Sequence, residues 1–219
     1  MDRLVPLGDQ AVLAYLADEA GAARFATALR AAAPPWLVDL VQAYTSVAVY
    51  YDQREVDHVR VAAFLGRTDW RQPSAVAEAV GRQHRIPCCY ELGLDLERVA
   101  RHIGGDPDEV IRLHLATEYT VYAIGFCPGF PYLGYLPEKL AGVPRLESPR
   151  LRVEPGSVGL TGRQTGIYTE PRPGGWNLVA RTPLELVHVA DGYFPLRTGD
   201  RVRFERIDEG EFEKLRGQR

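Results

Sequence analysis

The pattern of apolar and polar positions predicts two regions of different character. In the first, β-type and helical runs alternate. Gly8-Asp9 reads as a turn and residues 11–16 as a strand. Residues 20–33 are alanine-rich, with Phe25 and Leu29 four apart on one helical face, and Pro34-Pro35 ends the helix. Two β-type runs follow at 36–43 and 46–51, the second with Val47, Val49 and Tyr51 in loose alternation. A helix is predicted over 55–65, with Val56, Val59 and Phe64 as its inner face, and a shorter one over 74–83, N-capped by Ser74. The order β-α-β-β-α describes a compact α+β domain over residues 1–84.

The second region opens with two helices. One covers 95–103, with Asp95 as its cap and Gly104-Gly105 as its stop. The other begins at Asp106-Pro107-Asp108-Glu109, a capping-box arrangement with proline at the first helical position, and is predicted to run to Tyr119. The pair has the outline of a helix-turn-helix, but the second helix carries Arg112 as its only base beside Glu109 and Glu118, so an ordinary helical corner is the better reading. From Gly125 to Pro183, ten glycines and nine prolines fall in 59 residues, a proportion that alone would suggest low complexity. Aromatic residues spread through the block argue for order. Short β-type runs at 151–153, 157–160, 166–169 and 176–180 place glycine and proline between them, where turns need them. With closing strands at 184–189 and 201–204, residues 85–207 read as a small β-barrel or sandwich, followed by a charged tail at 208–219.

Charge and cysteine content narrow the class. The 219 residues include 26 basic and 29 acidic side chains, a formal net charge of −3, so nucleic acid is not an expected partner. Cys88, Cys89 and Cys127 form no Cys-x-x-Cys pattern, which argues for reduced thiols and against a disulfide framework or structural zinc. The chain does not start with a basic segment followed by an apolar core, and the early apolar run at 11–17 is too short to span a bilayer. A cytoplasmic protein without a membrane segment is the expectation.

Several constellations carry candidate chemistry. The string from Gly156 through Gly159 and Gly162 to Gly166 has no lysine and is followed by a β-like run, so it is not a P-loop. It can be a backbone anion nest or a set of barrel-turn glycines, and Gln164, Thr165 and Tyr168 are its candidate ligand contacts. His114 and Glu118, four apart on the predicted helix, could form an acid–base pair or a structural hydrogen-bonded pair; no third ligand accompanies them, so no metal is assigned. Phe126 and Phe130 lie in Gly125-Phe-Cys-Pro-Gly-Phe-Pro-Tyr132, which suits a pocket wall or partner groove, or barrel core. No local base activates Cys127. Arg145 and Arg150, each fixed behind a proline, could clamp a carboxylate or phosphate; Trp176 is a candidate wall, and Arg181 follows the next strand.

Taken in order, Gly125-Phe-Cys-Pro-Gly-Phe130, Pro149-Arg150, Pro155-Gly-Ser-Val-Gly159, Gly162-Arg-Gln-Thr-Gly-Ile-Tyr168, Pro173-Gly-Gly-Trp176 and Arg181-Thr-Pro183 closely resemble the 5-oxoprolinase B-subunit family, also called allophanate hydrolase subunit 1. The resemblance extends upstream through Arg112-Leu-His114, Glu118-Tyr119 and residues 44–52. It implies an α+β fold class: an N-terminal α+β domain followed by a cyclophilin-like β-barrel. It implies a homologue of the C component as direct partner and a homologue of the A component, the complex hydrolysing 5-oxo-L-proline to L-glutamate at the expense of ATP. The family also includes an inhibitor of a sensor histidine kinase, and fused relatives belong to biotin-dependent carboxyltransferases acting on urea or related amides, so a kinase partner and a carboxyltransferase role stand as alternatives. The fold alone does not imply isomerase activity. The chain departs from the family pattern at Glu154, Thr169 and Ala180, each at a loop or strand edge. The expected cleft is lined by His114, Glu118, Arg145, Arg150, Gln164, Thr165, Tyr168 and Trp176, with His114 as acid–base candidate and Arg150 as anion clamp.

Overall fold

The computed structural model describes residues 2–67, 70 and 81–219. Contacts divide the chain into two compact units, 1–80 and 81–219. Of the helix expected over 74–83, residues 74–80 lie outside the described residues, while 81 and 82 are not helical and Gln83 begins a strand.

The first unit is a four-stranded antiparallel sheet in the order β1-β2-β4-β3. Its strands are β1 (Arg3–Pro6), β2 (Ala11–Tyr15), β3 (Leu37–Ala43) and β4 (Ser46–Tyr51), and its helices are α1 (Glu19–Ala32) and α2 (His58–Arg67). Asp18 caps α1 by accepting from the Gly21 N–H at 2.6 Å, and Ala22, Phe25, Ala26 and Leu29 form the buried stripe at helical spacing. They pack on Val12 and Ala14 of β2 and on Val47, Val49 and Tyr51 of β4. The predicted inner face of α2 needs correction. Val56 is buried as expected, but Asp57 accepts from the Arg60 N–H at 2.8 Å to start the helix after it, and within the helix Val61 and Leu65 face the core while Val59 is 74% exposed.

The second unit is built around a seven-stranded sheet in the order β12-β9-β10-β7-β6-β13-β5. These strands are β5 (Gln83–Cys88), β6 (Tyr119–Ile124), β7 (Pro131–Gly134), β9 (Ser157–Thr161), β10 (Gln164–Ile167), β12 (Asn177–Arg181) and β13 (Arg201–Arg206); β8 (Arg150–Val153) and β11 (Arg172–Gly174) form a separate ribbon. The neighbours are antiparallel except β13 with β5. Reciprocal backbone bonds between Cys89 and Arg181, 2.8 and 2.9 Å, link the two ends of the order and close the sheet into a barrel. The chain is thus an α+β protein with a barrel-like second unit, as its pattern predicts. Val121, Leu133, Val158, Leu160, Ile167 and Val202 fill the interior, and α3 (Leu96–Ile103) and α4 (Pro107–Leu115) add Val99, Val110 and Ile111 to the same core.

Two expectations change here. The helix expected to reach Tyr119 stops at Leu115, because Tyr119, Val121 and Ala123 alternate inward as β6. The segment 184–189 is not a strand of the barrel; the Glu185 N–H donates to Gln218 O and the Gly217 N–H to Pro183 O, so it is covered by the chain's C-terminal end. The charged tail, open from sequence to a short helix or a frayed end, is a helix: α5 (Glu209–Leu215) buries Phe212 against Cys89 and Ile207. No helix among the described residues is long and apolar enough to cross a membrane.

Candidate functional site

Two glycines prepare the site. Gly159 of β9 and Gly166 of β10 lie directly opposite each other across the strand pair. Side chains alternate along a strand, so while Val158, Leu160, Thr165 and Ile167 turn inward, both glycines face the outside of the barrel and leave a bare patch. Aromatic rings settle on it. A Cβ at Gly166 would lie 2.9 Å from the Phe130 ring, and one at Gly159 would lie 3.0 Å from the Trp176 Cβ and 3.4 Å from the Tyr168 ring. Only Gly156 and Gly162 of this string, at φ 83° and 55°, act as the turn glycines expected from sequence.

Phe130 is the hub. Its ring meets Tyr132, Tyr168, Trp176 and Phe126 edge-on, with centroids 4.9, 5.3, 5.6 and 5.4 Å away. Beside these rings opens a cavity of about 340 Å³, lined by Phe126, Phe130, Tyr132, Arg145, Pro149, Tyr168 and the Pro173–Trp176 turn. Phe126 is pushed to its rim: the Cys127 N–H donates back to Gly125 O at 2.8 Å around a Phe126 φ of 68°, a γ-turn in the strained left-handed region, and the side chain stays 57% exposed. Burial pushes the Tyr168 and Tyr132 phenols up, so both stay neutral hydroxyls, while the Arg145 charge acts on both in the opposite direction. Arg145 is exposed and makes no ion pair among the described residues.

The loop carrying Arg145 is fastened on both sides. The fully buried Asn177 donates to Pro144 O at 2.9 Å and to Leu160 O at 3.2 Å, and accepts from Arg98 Nε at 2.9 Å. The Leu146 N–H donates to Gly175 O at 2.8 Å. Arg150 Nη2 donates to Asp95 at 2.8 Å, and the other Asp95 oxygen accepts from the Leu178 N–H at 2.7 Å. Asp95 makes no side-chain cap of α3, the role its position suggested; its carboxylate is committed to β12 and Arg150 instead. Arg150, expected to clamp an external anion, therefore has an internal carboxylate.

The remaining expected site residues lie elsewhere. His114 and Thr165 have no exposed surface. Because the Thr165 hydroxyl donates to Gly159 O at 3.0 Å, it accepts from His114 Nε2–H at 3.1 Å, which leaves Nδ1 to accept from the Tyr90 hydroxyl at 2.7 Å. Every proton of this hydrogen-bond series is placed, and burial lowers the His114 pKa to about 3, so the ring is neutral. Glu118 does not share a helix face with it. α4 ends before Glu118, which pairs at 3.0 Å with Arg203, an outward position of β13, whereas the neighbouring Phe204 turns inward to stack on His114 at 4.5 Å. The expected acid–base pair is not assembled. Gln164, at the start of β10, does not line the aromatic cavity, and Arg181 donates to Pro155 O at 3.1 Å beside a second cleft of about 290 Å³. The structure thus brings together Phe126, Phe130, Arg145, Tyr168 and Trp176 with Tyr132 of the same aromatic string, gives Asp95 a role other than the cap expected of it, and adds Asn177, which the sequence did not single out.

Gly174 is the tightest point of the pocket, since a Cβ there would lie 2.3 Å from the Tyr168 Oη. Gly174→Ala should displace that phenol, cost about 1–3 kcal/mol as overpacking, and shift the emission of Trp176 to the red. An unchanged melting point and an unchanged Trp176 emission would contradict this packing.

Residues 3–192 match the family described as carboxyltransferase domain, subdomain C and D. The B subunit of 5-oxoprolinase from Bacillus subtilis (strain 168) is 40% identical over 190 residues, covering 81% of this chain and 79% of that protein. That of Escherichia coli O157:H7 is 46% identical over 144 residues, 64% of this chain and 66% of that protein. Among solved structures, TTHA0988 superposes with a TM-score of 0.77 at 36% identity over 92% of this chain, which spans only 40% of that longer one. The Kluyveromyces lactis urea amidolyase, at 18% identity over 97% of this chain and 15% of its own, shares the fold with a TM-score of 0.75. With both the domain match and a 40% identical relative extending over most of its length, the chain belongs to the 5-oxoprolinase B-subunit family.

Proposed function

We propose that this chain is the B subunit of an ATP-dependent 5-oxoprolinase, working with the A and C components to hydrolyse 5-oxo-L-proline to L-glutamate. The carrying observation is that four of the six strings that typify the family, through Phe126 and Phe130, Pro149, Tyr168 and Pro173–Trp176, line a single aromatic pocket. Its make-up suits binding and orientation rather than bond breaking. His114, the histidine expected at the site, is sealed in the barrel, and Cys127 is buried against Thr169 at 3.5 Å. An unstrained five-membered lactam is a poor electrophile, and phosphorylation of its oxygen by ATP supplies the missing activation. The nucleotide belongs on this reading to the partner proteins: a phosphate cradle feeds a helix N-terminus, whereas Gly156–Gly166 here forms paired antiparallel strands.

The test is reconstitution. Purified chain mixed with its A and C partners, ATP and 5-oxo-L-proline should release glutamate at a rate that needs all three proteins. Glutamate release no faster than in the mixture lacking this chain would overturn the proposal.

A further inference from the structure

Most cations around the aromatic pocket have an internal use. Arg150 is tied to Asp95, Arg152 to Glu154 and Arg172 to Glu170, each within 2.8 Å. Arg145, on the same loop as Arg150, lines the cavity with no carboxylate partner among the described residues. It is also held there, since Pro144 O on one side of it is bound by Asn177 Nδ2 and the Leu146 N–H on the other side by Gly175 O, at 2.9 and 2.8 Å. An arginine whose backbone is bolted on both flanks is thus presented to ring walls with no internal carboxylate to neutralise it.

We infer that the pocket takes a small ring-bearing carboxylate, with the ring against Phe130 and Trp176 and the carboxylate on the Arg145 guanidinium. Asn177 is the positioning residue: it acts on the ligand only by fixing the loop that presents Arg145. The cavity of about 340 Å³ sits at the low end of the roughly 300–1,000 Å³ usual for small-molecule sites, which suits one small ring and not a nucleotide. The neutral hydroxyls of Tyr132 and Tyr168 can each donate to or accept from a ring amide. The inference rests on the function proposed above, because 5-oxo-L-proline is the ring acid chosen to probe it.

The experiment compares two ligands that differ by the carboxylate, 5-oxo-L-proline and pyrrolidin-2-one, on the full chain by ligand-observed NMR titration. Arg145→Ala, at an exposed position, should keep the fold. It should weaken 5-oxo-L-proline binding at least tenfold, the scale of a lost charge-assisted bidentate bond, while leaving the weaker pyrrolidin-2-one binding unchanged; Arg145→Lys should recover part of the loss. Equal affinities in wild type and R145A, equal losses for both ligands, or no binding to the wild-type chain each overturn the inference. In the assembled enzyme the R145A change should appear in KM more than in kcat. An active complex with an unaltered R145A KM would overturn this assignment and leave the proposed function standing. An inactive complex beside Arg145-dependent binding would do the reverse.

Discussion

Acidification from pH 7 toward pH 3 should weaken the barrel unit by roughly 4–5 kcal/mol through His114 alone. Burial is the cause. In the folded chain the imidazole pKa is lowered from 6.5 to about 3, because a charge there would lose its water among Phe204, Tyr119 and the barrel interior. The unfolded chain takes up a proton as pH falls through 6.5, and the folded chain does not until about 3. Unfolding therefore gains protons throughout that window. The stabilisation is complete above 6.5, declines as pH falls, and changes no further below about 3. Such a loss is a large fraction of the 5–15 kcal/mol that holds a typical domain, so urea unfolding at pH 7, 6, 5 and 4 should resolve a slope approaching ~1.4 kcal/mol per pH unit. His114→Gln removes the titration while keeping a polar group. It should be about 1–3 kcal/mol less stable at pH 7, through imperfect bonds to Tyr90 and Thr165, yet show a shallower pH dependence, so that the difference between the two proteins shrinks on acidification. Parallel curves for the two proteins would refute the assignment of a neutral core histidine.

The contrast between His114 and Phe130 shows what can be read from the sequence. Local patterns find a helix boundary where a cap or a stop stands in the chain: Pro34-Pro35 after α1, Asp106-Pro107 before α4, Gly104 after α3. They fail where a tertiary partner overrides the local signal. Asp95 stands in the capping position of α3, but its carboxylate finds the Leu178 N–H 83 residues away, and no spacing rule anticipates that. Strands β5 and β7 escape the pattern because each carries a proline, Pro87 and Pro131, a residue that weakens a strand signal. β5 pairs along its length with β13 and meets β12 only at the Cys89–Arg181 bridge, so Pro87 interrupts no ladder on that side.

The site is legible in the sequence as composition and illegible as geometry. Phe126, Phe130, Tyr168, Trp176 and Arg145 are recognisable as residues placed among fixed turns, and they do converge. The role of Gly159 and Gly166 is not, because their meaning depends on facing each other across β9 and β10. A helical spacing of four makes His114 and Glu118 look like partners; the helix ends between them, and the two side chains part, one into the barrel and the other out to Arg203. Of the buried polar residues that matter most for placing the pocket, Asn177 gives no local signal and Asp95 gives the signal of a helix cap, a role its carboxylate does not take.

Removing Asp95 tests whether that placement is energetic as well as geometric. Asp95→Ala leaves Arg150 without its carboxylate at 2.8 Å, beside an Nη1 that is already buried with no hydrogen-bond partner, and strips the buried Leu178 N–H of its acceptor at 2.7 Å. Breaking a buried pair from one side costs about 3–5 kcal/mol, and because the Arg150 side chain keeps 26% of its exposure the lower end applies, about 3 kcal/mol. For a unit of this size that corresponds to a fall in melting temperature of roughly 10 °C. Asp95→Asn, which can still accept from Leu178, should lose about half as much. Removing the cation as well is decisive: in Asp95→Ala with Arg150→Met no unpaired charge remains, so the double variant should be more stable than Asp95→Ala alone, with a coupling of about 1–3 kcal/mol. Strict additivity of the two substitutions would mean that the pair does not hold the loop, and the fixed position of Arg145 would then rest on Asn177 and the Leu146–Gly175 bond alone.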